Sequence, residues 1–166
     1  MPVPIILAYF GDAILPQSVV DAVVGRLPFS FASPYTVLLF AVMLTYVPFS
    51  LGMLYKLRYA APDNVQPRKQ SQTLAATSPV FARILAAEGN LNEGFPFFAA
   101  AVLAAVQAGV ADPLVCRLGA FWLLVRLAYV GVYVVQNTVP LSAVRSLLYG
   151  SSIMVVSKLF YLAAAE

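Results

Sequence analysis

Apolar residues in this chain fall into four long runs, separated by short clusters of charged, amide and proline residues. The runs cover about residues 35–57, 80–110, 115–136 and 144–164. Each is long enough to cross ~30 Å of hydrocarbon as a helix, which takes about 20 residues. The pattern predicts an all-α fold, an integral membrane four-helix bundle over residues 34–166. Residues 1–33 are only mildly apolar and are interrupted by Asp12, Pro16, Asp21, Arg26 and Pro28. They predict a short interfacial or lid segment on the membrane surface rather than a signal peptide, which would begin with a basic stretch.

Polar residues inside the runs are more informative than the runs themselves. In the second, RILAAEGNLNEGFPFF from Arg83 to Phe98 sets ionisable and amide groups within an otherwise apolar helix. At about 100° per residue, Arg83, Asn90 and Glu93 share a face within roughly 80°, while Glu88 and Asn92 point away. Pro96 removes an intrahelical bond to the carbonyl of Asn92 and predicts a kink beside this cluster. In the third run, Trp122, Arg126, Tyr129, Tyr133 and Asn137 form one stripe at helical spacing. In the fourth, Arg145, Tyr149 and Ser152 do the same. Lipid satisfies none of these groups, so the stripes are expected to face one another, a second subunit or a wet cavity. The simplest pairing joins Glu93 to Arg126 as a structural ion pair between the second and third helices.

Composition narrows the chemistry. Of 166 residues, 61% are hydrophobic and 10% charged, far from the roughly 25% charged of a soluble domain. There is no histidine and one cysteine, Cys116, so no metal site is expected and no internal disulfide can form. Cys116 reads as a small apolar residue, and Lys158 as a side chain that snorkels to the nearer membrane surface. A net charge of +3, with aromatic residues buried in apolar runs, gives no support to nucleic-acid binding. Lys56, Arg58, Arg68 and Lys69 gather at the loop of residues 58–79. The positive-inside rule predicts that this loop is cytoplasmic, with both termini on the opposite side of a multi-pass protein. Residues 137–143 read as a turn ahead of the fourth helix, and Arg145 as its basic flank or as a site residue.

These motifs resemble the membrane-associated proteins in eicosanoid and glutathione metabolism, the MAPEG family, and its bacterial-type branch. Arg83, Ala87, Asn90, Glu93 and Pro96 match the second-helix motif, and Arg126, Tyr129 and Tyr133 match the Arg-x-x-Tyr-x-x-x-Tyr of the third. Arg145 and Ser146 match the Arg-Ser that opens the fourth helix, and Asp63, Asn64, Pro67 and Arg68 match the polar loop. The resemblance implies a homotrimer in the lipid bilayer with glutathione as co-substrate. Arg83, Asn90, Glu93, Arg126, Tyr129 and Tyr133 would hold the tripeptide, and Arg145 with Ser146 would lie at its sulfur as the catalytic pair. The implied activity is a membrane-bound glutathione-dependent transferase or peroxidase acting on lipophilic electrophiles or lipid hydroperoxides. The alternative is a non-catalytic membrane scaffold or accessory subunit that retains the fold. Glu88 stands where the family often has histidine, and the stretch between Tyr133 and Arg145 is longer than usual.

Overall fold

The computed structural model describes Ala13, residues 15–28 and residues 30–166; the rest of the expected N-terminal lid lies outside the described residues. Among the described residues there are six helices and no strand. They are α1 (Gln17–Val24), α2 (Pro34–Tyr59), α3 (Pro67–Thr77), α4 (Pro79–Gln107), α5 (Asp112–Val135) and α6 (Val139–Ala165). Three of them, α2, α5 and α6, are long and apolar enough to cross a membrane. The run expected as the second span folds as α4, longer than these at 29 residues, but its polar stretch keeps it outside that class.

Proline writes most of the helix starts. Each helix from α2 to α6 carries one in its first two positions, where the missing N–H would have had no intrahelical partner. Ser33 and Ser78 complete two of these starts, their Oγ atoms accepting from Thr36 N at 3.3 Å and Phe81 N at 3.2 Å. The same chemistry corrects two sequence expectations. Residues 67–77, read as loop, form α3, entered through a turn in which Asp63 Oδ1 accepts from Val65 N and Gln66 N. Residues 139–143, read as part of a turn, are the first turn of α6, because Pro140 belongs at a helix start rather than in a loop. The helix α4 continues through Pro96 as one element.

Among the long helices α4 packs against α2, α5 and α6, and it also packs against α3. In the core, Phe98 of α4 stacks on Trp122 of α5, ring centroids 3.9 Å apart and planes within 6°. Gly119 lets α5 approach α2, since a Cβ there would overlap the Val37 side chain. The outward residues of α2, including Leu39, Met43 and Leu54, are exposed and apolar, as a lipid-facing surface requires. The short α1 lies on α5, with Val20 fully buried and an Asp21–Arg117 ion pair at 3.5 Å. Lys158, expected to snorkel outward, is instead 3% exposed and donates to Leu15 O at 2.6 Å and Gln17 Oε1 at 3.4 Å. Leu15 and Gln17 supply these oxygens, so the ammonium is held by protein groups.

The Gly119 contact yields a signed test in detergent. Gly119→Val should lower stability by about 1–3 kcal/mol through overpacking against buried Val37. Gly131→Ala, on the same helix with nothing near the added methyl, should be neutral or stabilising by up to about 1 kcal/mol. Equal shifts in melting temperature would mean that α2 and α5 do not approach at Gly119.

Candidate functional site

The polar stripes of α4, α5 and α6 meet at a cavity of about 210 Å³ lined by Asn90, Tyr129, Tyr133, Arg145, Ser146 and Tyr149. Helical spacing brings them there. Tyr129 and Tyr133 are one turn apart on α5, with ring centroids 5.4 Å apart at 72°. Arg145 and Tyr149 are one turn apart on α6. Tyr149 tilts against Tyr129 at 6.0 Å, and the Arg145 guanidinium lies over the Tyr133 ring at 4.9 Å. Because residues 139–144 are helical, the longer stretch before Arg145 adds a turn of α6 and does not swing Arg145 away from the tyrosines. Ser146 donates back to Ser142 O at 3.1 Å, and Asn90 Nδ2 donates to Ala86 O at 2.9 Å.

Arg126 stands behind this cavity. It is 3% exposed, its guanidinium carbon 5.2 Å from the Tyr149 ring centre and 5.5 Å from those of Trp122 and Tyr129. Its Nε and Nη1 have no hydrogen-bond partner among the described residues. Its Nη2 occupies the space a side chain at Gly94 would need. The expected Glu93–Arg126 pair does not form within the chain. Glu93 is exposed, and the only ion pair among the described residues is Arg117–Asp21. One residue of helix is about 100° of rotation, so turning Gly94 toward Arg126 turns Glu93 outward.

The structure thus brings together Asn90, Tyr129, Tyr133, Arg145 and Ser146, backs them with Arg126, and leaves two expected residues elsewhere. Glu93 does not line the cavity, and Arg83 spends its Nε on Val134 O at 2.9 Å, tying α4 to the end of α5. Tyr149 is an addition, and its signal was its place on the stripe with Arg145. The lining holds a cation, three phenols and no carboxylate, with a second guanidinium directly behind. Such a set is suited to an anion, through charge-assisted hydrogen bonds in a setting of low dielectric.

The family model described as the MAPEG family matches residues 33–165, most of the chain. The chain belongs to the MAPEG family. No curated protein and no solved structure matches it. Membership of the MAPEG family agrees with the three membrane-capable helices, and the match begins at Ser33, the residue that caps α2.

The arrangement separates Glu93 from Arg126 energetically. Glu93→Ala should change stability by no more than about 0.5 kcal/mol, as for other exposed substitutions. Arg126→Ala should cost about 2–5 kcal/mol by opening a core cavity. Arg126→Met, which refills the volume without a buried charge, should recover most of that loss. Thermal unfolding of the three variants measures this, and equal losses for Glu93→Ala and Arg126→Ala would restore the ion pair.

Proposed function

We propose that this MAPEG protein is a glutathione-dependent membrane enzyme, a transferase or peroxidase for lipophilic electrophiles or lipid hydroperoxides. One observation carries the reading. Five residues that the family resemblance assigns to glutathione or its sulfur, from three different helices, line a single cavity. The donor set suits the group, because Arg145 and the tyrosines offer donors to a thiolate and carboxylates, and Arg126 has donors without partners among the described residues.

When bound, glutathione supplies a thiol nucleophile. The guanidinium of Arg145 stabilises the thiolate, lowering its pKa from about 8.5 and raising the fraction of nucleophile at neutral pH. Tyr133, held under Arg145, adds a hydroxyl donor to the sulfur, and Asn90 and Tyr129 hold the peptide. In transfer, the sulfur bonds to the electrophilic carbon as the leaving group departs or the adduct is protonated. In peroxide reduction, two thiols become a disulfide while the hydroperoxide becomes an alcohol and water.

The cavity of about 210 Å³ is below the ~300 Å³ at which small-molecule pockets begin. One chain therefore holds only part of a tripeptide, which supports a homotrimer with the rest of the ligand on a neighbouring subunit. The reading also includes α4 as a fourth span, its polar residues turned to the bundle and to the subunit boundary. Four spans place the basic loop of residues 58–79, with α3, in the cytoplasm and both termini opposite. Arg83 and Glu93, which do not line the cavity, favour the alternative, a scaffold that keeps the fold for assembly.

Calorimetric titration with glutathione, followed by ultraviolet absorbance of bound thiolate across pH, distinguishes them. The enzyme reading expects binding and a thiolate present below the ordinary thiol range. Arg145→Ala should move the thiol midpoint up toward about 8.5, so that the signal at neutral pH is lost. Tyr133→Phe should move it less, since one neutral donor is lost rather than a charge. The scaffold reading expects no binding and no absorbance in any of the three proteins.

A further inference from the structure

A second and larger concavity lies at the end of the molecule that carries α1, away from the tyrosine cavity. It has two connected parts. The upper part, about 920 Å³, is bounded by α1, residues 25–28 and 30–32 and the start of α5, with Asp21, Asp112 and Arg117 on its wall. The lower part, about 710 Å³, runs between α2 and α5 and is almost wholly apolar, reaching Met43, Val47 and Leu127. Leu27, Ser30, Phe31, Ala32 and Ala120 line both. Phe31 fixes the roof to α2 by an edge-on contact with Phe40 at 5.4 Å.

We infer that this groove binds one zwitterionic bilayer phospholipid, with an acyl chain in the α2–α5 cleft and the headgroup under α1. Two features point to that occupant. Depth is the first: Thr36 to Val47 along α2 spans about 16 Å at 1.5 Å per residue, half of the ~30 Å hydrocarbon thickness. The cleft is thus one leaflet deep, which is the reach of an acyl chain. Charge is the second. The mouth presents one cation and two carboxylates, with the Arg117–Asp21 pair long at 3.5 Å and both side chains about half exposed. A phosphate fits against Arg117 and an ammonium against Asp21 and Asp112. A net anionic headgroup meets one carboxylate too many. The groove would bind structural lipid and seat the roof segment, independently of any glutathione chemistry.

The test uses the full chain reconstituted in bilayers of equal phosphatidylethanolamine and phosphatidylglycerol, extracted in mild detergent and weighed by native mass spectrometry. The parent should retain one phosphatidylethanolamine per chain in preference to phosphatidylglycerol. Ala32 is exposed at the junction of the two parts, so Ala32→Trp blocks the groove without entering the bundle core. It should lower retained lipid about tenfold, the equivalent of roughly two methylenes no longer buried. Asp21→Asn with Asp112→Asn should keep the lipid but lose the preference for the zwitterion. Equal retention by the parent and Ala32→Trp, or a parent with no headgroup preference, overturns the inference. A fall in oligomer mass on Ala32→Trp, with retained lipid unchanged, assigns the groove to a neighbouring subunit and also overturns it.

Discussion

Hydrocarbon offers no hydrogen bonds, and every polar group on a membrane helix must find its partner in protein or in a wet cavity. In the proposed four-span arrangement that constraint falls hardest on α4, which carries an arginine, two asparagines and two glutamates along one long helix. It is also the helix that packs against α2, α3, α5 and α6. The two facts belong together. A helix too polar to face lipid on all sides is placed where other helices can cover it, and those helices bring their own polar stripes to the same place.

The meeting of stripes does not produce neutral pairs. Arg126 is surrounded by aromatic rings and lies against the backbone of Gly94, with two donors unsatisfied. Contact with three ring faces compensates part of the cost of burying a guanidinium, each by up to about 2 kcal/mol when desolvated. It does not cancel the charge. The field of Arg126 is therefore exerted on the adjoining cavity, where Arg145 adds a second cation. Glutathione carries carboxylates and a reactive sulfur, and a site that holds uncancelled positive charge suits it better than one closed by an internal salt bridge.

The two ends of the molecule are built differently. The end carrying α3 holds Lys56, Arg58, Arg68 and Lys69, and hydrogen bonds such as Lys56 Nζ to Ser71 Oγ at 2.8 Å fasten α3 to α2. The opposite end is closed by α1, which is attached through Asp21–Arg117 and through the Lys158 ammonium on the Leu15 carbonyl, 143 residues away in sequence. Lys158 thereby ties α6 to Leu15 and Gln17, at the start of α1.

The sequence alone determined what depends on local chemistry and periodicity. Long apolar runs are helices because hydrocarbon demands satisfied backbones, and α2, α4, α5 and α6 cover the four runs. Asn90, Tyr129, Tyr133, Arg145 and Ser146 were grouped by resemblance to the family's motifs, while helical spacing put Tyr129 with Tyr133, and Arg145 with Tyr149, on shared faces. What the sequence could not supply was the rotation of one helix against another. A helical wheel placed Glu93 beside Asn90 but could not say that Gly94 would meet Arg126, and that rotation alone removed the ion pair. Nor could it show that Lys158 would meet a backbone carbonyl, since Leu15 looks like any other apolar residue. Residues 139–143 were ambiguous because a proline serves both turns and helix starts. Pairing across helices is decided by packing volumes and close approaches such as Gly119 on Val37, which exist only once the helices have come together.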